Sequence, residues 1–522
     1  MGAIEKYLSL GTMNCGDFLR ATATQYPDKI GFIDGLRGER FSYKEVNIRV
    51  NSLSHGLMKM GLNKGDICAT LMFNRIEYIE SFWALSKTGV IMAALPYRLL
   101  GKEMELLINH CEAKAIIFSE EFLDIVNSVR NNCKSLKTFI FVGENKPDYA
   151  IPFEELANNY ETYEPDVEIL AEDEQTLNFT SGTTGLPKGF LLNHFHNSVA
   201  PILIGNHIWE ISHNSVILDP FPMYGRIGWL GQVMTTWAAA TQVFIDFDPK
   251  KCLEIIEREK VESVHLVATM AEMILREPDI DKYDLSSLHH LVFTGSPLPK
   301  STLDKVRSRI CSMVHVYYGF QEGNLSAWIK GEELYNRPSS TGVPPAGVKL
   351  RIVDSEGNDV QQEELGEVII KGPHLFRGYY KDPDKNKAVI KNGWFYTGDQ
   401  GRIDKDGYLY LMGRIKDMII SGGQNIYAIE IEDVLSSHPK VLDCAVIGIP
   451  DDLWGEVVTA VIVPKAGDKI QEDEIIQFCK ESMAHFKAPR IVKFTDTIPR
   501  NPAGKVQKFI LQEHYKSSKD ST

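Results

Sequence analysis

Residues 179–189 read FTSGTTGLPKG, four hydroxyl side chains and three glycines grouped around one lysine. Successive backbone N–H groups in a glycine-rich turn can surround a phosphate, and serine or threonine hydroxyls add donors that carry no charge. Gly182, Gly185 and Gly189 permit the tight path, and Lys188 contributes a compact positive charge. The tract differs from an ordinary P-loop, because Pro187 precedes the lysine and Gly189, not a hydroxyl residue, follows it. Ser, Thr, Gly and Pro also favour turns, so composition alone leaves two readings open: a phosphate cradle and a plain surface turn.

The elements that would hold this tract belong to a chain of 522 residues, long enough for several domains or subdomains. A hydrophobic content of 43% with 24% charged residues describes an ordinary globular composition. The formal net charge of −14 argues against a broad grip on nucleic acid, which rests on Lys and Arg. The opening MGAIEKYLSL has no charged-then-apolar secretory pattern and no hydroxyl at residue 6, so a cytoplasmic protein is expected. The longest uncharged run, 227–245, contains Gln232, Thr235, Thr236, Thr241 and Gln242 and reads as a buried helix followed by a strand, not an integral membrane segment. Eight cysteines fall at no metal-ligand or redox-pair spacing and are expected to be reduced core thiols.

Through the first 400 residues, short apolar runs alternate with amphipathic stretches, as in DICATLMFN before RIEYIESFWALSKTGV. Strands feeding helices argue for an α/β architecture. After Pro345 the texture changes to short strands at 349–353, 366–371 and 407–412 with hairpin-like turns, a β-rich subdomain closing the large region. From Gly413 a tail of mixed helices and strands could fold alone as an α+β unit. The expected division is therefore 1–413 and 414–522.

Further motifs alter the weight of the opening tract. FTGSPLP at 293–299, YYGFQEGN at 317–324, WFYTGDQGRIDKDGYLY at 394–410, MGRIKD at 412–417 and PRNPAGK at 499–505 follow it in order. With them the chain closely resembles the adenylate-forming superfamily of acyl-CoA and aryl-CoA ligases, peptide-synthetase adenylation domains and beetle luciferases. The match extends from near residue 41 to near residue 508. The resemblance implies that Thr180, Ser181, Gly182, Thr183, Thr184, Gly185 and Lys188 cradle the pyrophosphate of ATP. It places Gly295, Ser296 and Pro297 beside adenine, Tyr318 and Gly319 along the adenine and acyl-adenylate site, and Gln321 near a phosphate oxygen. Glu322 becomes the acid that holds Mg²⁺, a cation that prefers carboxylate and water oxygens. Asp399 and Arg414 become the ribose contacts; a carboxylate can accept two hydroxyl donors. Lys505 matches the lysine of adenylate formation and joins Thr184 and Glu322 as catalytic residues. In that family the small C-terminal domain swings between two half-reactions, with Lys416 at the hinge and Gly422 and Gly423 entering the thioester-forming arrangement. His194 matches a histidine frequent in relatives, with a packing role equally open; His196 has no family counterpart.

Two departures stand out. In PFPMYGRIGW the usual aromatic–histidine pair becomes Tyr224 and Gly225, and Gln321 replaces a threonine. No Asp or Glu occurs between Asp219 and Asp246, which weighs against an α-amino acid substrate. The acid pocket is expected to draw on Tyr224, Gly225, Arg226, Trp229 and Met270. Arg226 has two readings: exposed, as arginines usually are, or turned inward to meet a distal polar or anionic group. The resulting expectation is an ATP-dependent carboxylic acid–CoA ligase using ATP, Mg²⁺ and coenzyme A on a small to medium aliphatic, alicyclic or aromatic acid. The alternatives are adenylation for another acceptor or a weakened nucleotide-binding protein. A homodimer is a further expectation from the family.

Overall fold

The run 227–245 folds as a helix, Arg226–Trp237, feeding a strand, Thr241–Phe244. Every helical residue from 228 to 236 is buried, so the helix has no polar face because it is packed all round. No helix among the described residues is long and apolar enough to cross a membrane. The computed structural model describes residues 14–180, 188–451, 453–500 and 505–517.

Two large, mostly parallel sheets form the body. An eight-stranded sheet runs in the order Asn324–Lys330, Val314–Phe320, His290–Phe293, Ser263–Leu266, Val216–Asp219, Thr241–Phe244, Ile30–Asp34, Arg40–Ser42. Its interior pairs are parallel and its two outermost pairs antiparallel. A seven-stranded sheet is parallel up to one edge, including its other outermost pair, and ends on the antiparallel pair Glu174–Thr180 and Lys188–Asn193. Strand-to-helix connections cover these faces, the α/β arrangement expected of alternating apolar runs and amphipathic stretches.

A six-stranded antiparallel sheet follows, and two of its strands, Lys349–Val353 and Gly366–Lys371, coincide with the expected ones. The third lies slightly later than expected, at Leu409–Arg414, because Gly407 forms the preceding turn at φ +90°. The C-terminal part has its own five-stranded sheet, dominated by the long antiparallel pair Val441–Asp451 and Gly455–Pro464, with its own apolar core. The Arg276 guanidinium donates to the Leu442 carbonyl at 3.1 Å, linking this part to the body.

The described ends of the glycine-rich tract, Phe179–Thr180 and Lys188–Gly189, pair across the 174–193 hairpin, the YYGFQEGN tract turns between Val314–Phe320 and Asn324–Lys330, and the FTGSPLP tract follows the end of His290–Phe293. Sites in open α/β sheets form outside the carboxyl ends of strands, where such loops gather.

Candidate active site

The ribose-side candidates form the tightest group. Asp399 and Arg414 are direct cross-strand partners, so pairing between two strands of the antiparallel sheet brings them together. Arg414 Nε lies 2.7 Å from Asp399 Oδ1 and its Nη1 donates to the Thr397 carbonyl at 2.9 Å. Tyr318 Oη donates to Asp399 Oδ2 at 2.5 Å. Hydrogen bonds to a carboxylate are worth roughly 1.5–3 kcal/mol, about twice a neutral one, so the orientation of Asp399 is set before any ligand arrives. The turn beneath it is also satisfied: Thr397 Oγ1 donates to Val368 O at 2.7 Å, and Gly398 N donates to Glu367 Oε1 at 2.9 Å. Burial, and then the Asp399 charge, holds the Tyr318 hydroxyl well above the ordinary phenol range. Burial works against the charge of Arg414, but Asp399, Tyr318 and Glu322 more than offset it and its pKa moves up.

Gly319 is required where it stands. A Cβ there would lie 2.1 Å from the Asn324 carbonyl oxygen, because the hairpin carries an irregularity between Tyr318 and Gly319. The turn then presents Gln321 and Glu322. Tyr379 Oη donates to Glu322 Oε1 at 2.9 Å, and the Glu322 carbonyl accepts from Phe376 N at 2.7 Å. No group of three or more His, Cys, Asp or Glu side chains forms a metal cage among the described residues. One fixed carboxylate is nonetheless the donor set that suits Mg²⁺, which takes its remaining ligands from phosphate and water oxygens.

Two further lysines come within reach of Lys188, and one of them, Lys385, is also within reach of Glu322. Lys188 is in side-chain contact with Lys385, and Lys416 lies within electrostatic reach of Lys188. Burial and then Lys188 pull the Lys385 pKa down to about 8. Burial also lowers Lys416, with Arg414 and Lys188 adding to the effect against Asp417. Ammonium groups repel one another, and a polyanion among them would relieve that repulsion. Lys385 also lies over the Tyr379 ring at 5.0 Å. Sequence reading missed it: in YYKDPDKNK nothing marks it apart from Lys381 and Lys387, both of which are exposed. Thr180 closes its strand, while Ser181, Gly182, Thr183, Thr184 and Gly185 lie outside the described residues.

Lys505 comes to the same place from the far end of the sequence. The residue keeps an exposed surface, but its ammonium is crowded; burial and Arg414 lower its pKa while Asp399 and Glu322 oppose them. The lysine therefore sits within electrostatic reach of both Asp399 and Glu322. Gly295 has φ +81°, a left-handed turn that needs glycine. Ser296 Oγ is buried without a partner among the described residues, and Pro297 is exposed. Gly422 and Gly423 form an exposed two-residue turn between Ile419–Ser421 and Gln424–Ile426.

The acid-side candidates are differently placed. Tyr224 is half-buried and packs edge-on against Tyr97 at 4.9 Å. A Cβ at Gly225 would meet only Pro222 O, at 3.5 Å, so packing next to the backbone does not by itself require glycine here. Trp229 is buried, stacked on Phe82 at 5.8 Å, with its indole N–H 3.4 Å from Asn178 Oδ1. Met270 is partly buried against the core. Arg226 turns inward and is 1% exposed; its Nη1 donates to the Gln321 carbonyl at 2.7 Å. Burial lowers its pKa to about 9, against the attraction of Glu322 and Tyr317. Of the two histidines, His194 accepts from Cys15 N at 3.1 Å, a packing contact. His196, which had no family counterpart, is the one within reach of Arg226.

Residues 19–380 match the model of the AMP-binding enzyme family, and 430–505 match that of the AMP-binding enzyme C-terminal domain. The chain is 32% identical over 484 residues to feruloyl-CoA synthase of an Amycolatopsis species, covering 90% of this chain and 93% of the relative. It is 30% identical over 525 residues to 4-hydroxybutyrate–CoA ligase 2 of Metallosphaera sedula, covering 96% and 94%. The crystal structure of the anthranilate CoA ligase AuaEII with anthranoyl-AMP superposes with a TM-score of 0.92 at 26% identity, covering 97% and 98%.

Proposed function

Because the chain belongs to the AMP-binding enzyme family, as an AMP-forming acid–thiol ligase, we propose that it activates a small to medium aliphatic, alicyclic or aromatic acid and transfers it to coenzyme A. The observation that carries the assignment of roles is the convergence of Lys505, Asp399, Arg414 and Glu322 from distant parts of the chain. The relatives act on an aromatic, a hydroxylated aliphatic and an aminobenzoic acid by name, which supports the reaction type and leaves the acid broad.

A carboxylate is a poor electrophile. Attack of the acid's carboxylate oxygen on the α-phosphorus of ATP breaks the bond to pyrophosphate and leaves an acyl-adenylate; a thiolate then attacks the acyl carbon and AMP departs. Asp399, held by Tyr318 and Arg414, accepts the ribose hydroxyls and positions the nucleotide. Lys188 and Lys385 bind the β- and γ-phosphates, with the 181–185 backbone and hydroxyls completing the cradle. Lys505 bridges the incoming carboxylate and the α-phosphate, stabilising charge as the bond forms. Glu322 would hold Mg²⁺, which neutralises phosphate charge when bound.

The C-terminal part then rotates at Lys416, withdrawing Lys505 and bringing Gly422 and Gly423 to the thiol's path. Lys505 facing Asp399 while both glycines remain exposed supports the adenylate-forming arrangement as the one described here.

The test is pyrophosphate release with MgATP across a panel of acids, with and without CoA, the product identified by mass. Acid-dependent release with the matching acyl-CoA is expected. Adenylate formation that CoA never discharges would overturn the acceptor, and silence with every acid would favour a weakened nucleotide-binding protein.

A further inference from the structure

Arg226 opens the helix Arg226–Trp237, where the helix macrodipole is positive and a cation is at the unfavourable end. It is 1% exposed. One nitrogen, Nη1, donates to the Gln321 carbonyl at 2.7 Å, whereas Nε and Nη2 find no partner among the described residues. Those two N–H groups share one edge of the planar guanidinium, the edge that receives a carboxylate in a bidentate pair. A hydroxyl or ketone on the ligand would satisfy only part of that fork.

No carboxylate hydrogen-bonds Arg226 among the described residues, and the charge that reaches it is that of Glu322. His196 and His374 are 7% and 1% exposed, and each leaves its Nδ1 without a partner. Burial, and then the Arg226 charge, lowers them to about 4 and about 3, so both remain neutral imidazoles. Glu322 attracts Arg226 but is the carboxylate assigned to Mg²⁺. A buried guanidinium with an empty edge is costly, and an incoming anion removes that cost.

Arg226 and Lys505 also have different electrostatic neighbours apart from Glu322. The charges felt by Lys505 are Arg414, Asp399 and Glu322, and those felt by Arg226 are Glu322 and Tyr317. Both cations thus lie within electrostatic reach of Glu322, and Arg226 alone of the two is bonded to the Gln321 turn.

We infer that Arg226 is a specificity residue that receives a second, distal carboxylate of the acid, so that the preferred substrates are dicarboxylic acids. The inference rests on the ligase reading above. One carboxylate reaches Lys505 and the α-phosphate; the other lies in the Arg226 fork and passes unchanged into the thioester.

The experiment uses the full chain and matched pairs: dicarboxylic acids of increasing length against their monomethyl esters and against monoacids of equal chain length. The wild type is expected to favour the diacid by about 30-fold or more in kcat/KM for pyrophosphate release at one or more lengths. Arg226→Met removes the charge, and Arg226→Lys keeps it without the fork. Both should collapse the diacid-to-ester ratio, Met further than Lys, while the KM for ATP does not follow that ratio. A wild-type ratio near one at every length, or preference for monoacids throughout, overturns the inference and leaves the ligase reading standing; this outcome needs no variant to fold. A ratio that survives in Arg226→Met overturns it too. Silence with all acids removes both readings.

Discussion

The proposed nucleotide side and the proposed acid side of the site are built on different terms. On the nucleotide side, Asp399 is held by Arg414 and Tyr318 through bonds of 2.7 and 2.5 Å, and the turn beneath it is hydrogen-bonded at Thr397, Gly398 and Asp399. On the acid side, Arg226, His196 and His374 are buried with donor or acceptor atoms that find no partner among the described residues. A satisfied polar network costs nothing to keep and is ready for a ligand common to every turnover. An unsatisfied one is completed by its ligand, so it discriminates between ligands that can and cannot complete it.

The largest expected effect lies on the preorganised side. Lys505→Ala should lower acyl-adenylate formation by about 100- to 1,000-fold while thioester formation from supplied acyl-AMP changes little. Single-turnover assays of each half-reaction separate the two, and equal losses would deny Lys505 its assigned step. Asp399→Ala should weaken ATP binding by about 10- to 100-fold through loss of the ribose contacts. Isothermal titration with ATP and with a ribose-lacking polyphosphate checks this, since only ATP should be affected. A loss shared by both would mean that the pair with Arg414 holds the site's shape.

Lys416→Pro restricts backbone rotation next to the last strand of the antiparallel sheet. Thioester formation should fall by about tenfold or more with adenylation retained; stopped-flow measurement of both steps is the check. The smallest effect is expected from Lys385. Its ammonium has a pKa of about 8, lowered by burial and by Lys188, and a bound polyphosphate favours the protonated form and raises that value. ATP affinity should therefore be full below about pH 8 and fall as pH rises from there towards the bound-state pKa. Lys385→Gln should cost about two- to fivefold at neutral pH and flatten that decline; an unchanged pH profile would detach Lys385 from the phosphates.

How much was legible follows the same division. Thr180–Lys188, Tyr318–Glu322, Asp399, Arg414 and Lys505 lie in contiguous signatures whose local order carries their chemistry, and the strands at 349–353 and 366–371 follow from period-two patterning and turn residues. Lys385 and His196 had no such signal. One is a lysine in a run of lysines, the other a histidine two places from a matched one, and each acquires its place only because a distant element packs against it.

The sequence by itself determined the periodicities that make the α/β body and antiparallel sheet, and the motif order that marks the reaction, because both are written in neighbours along the chain. Only the tertiary structure decided that Asp399 faces Arg414 across two strands, that Lys505 reaches Glu322, and that Arg226 turns inward with one edge of its guanidinium unpaired. Those outcomes depend on strand register and on which surfaces exclude water. Burial turns an ordinary arginine into a charge that needs a partner.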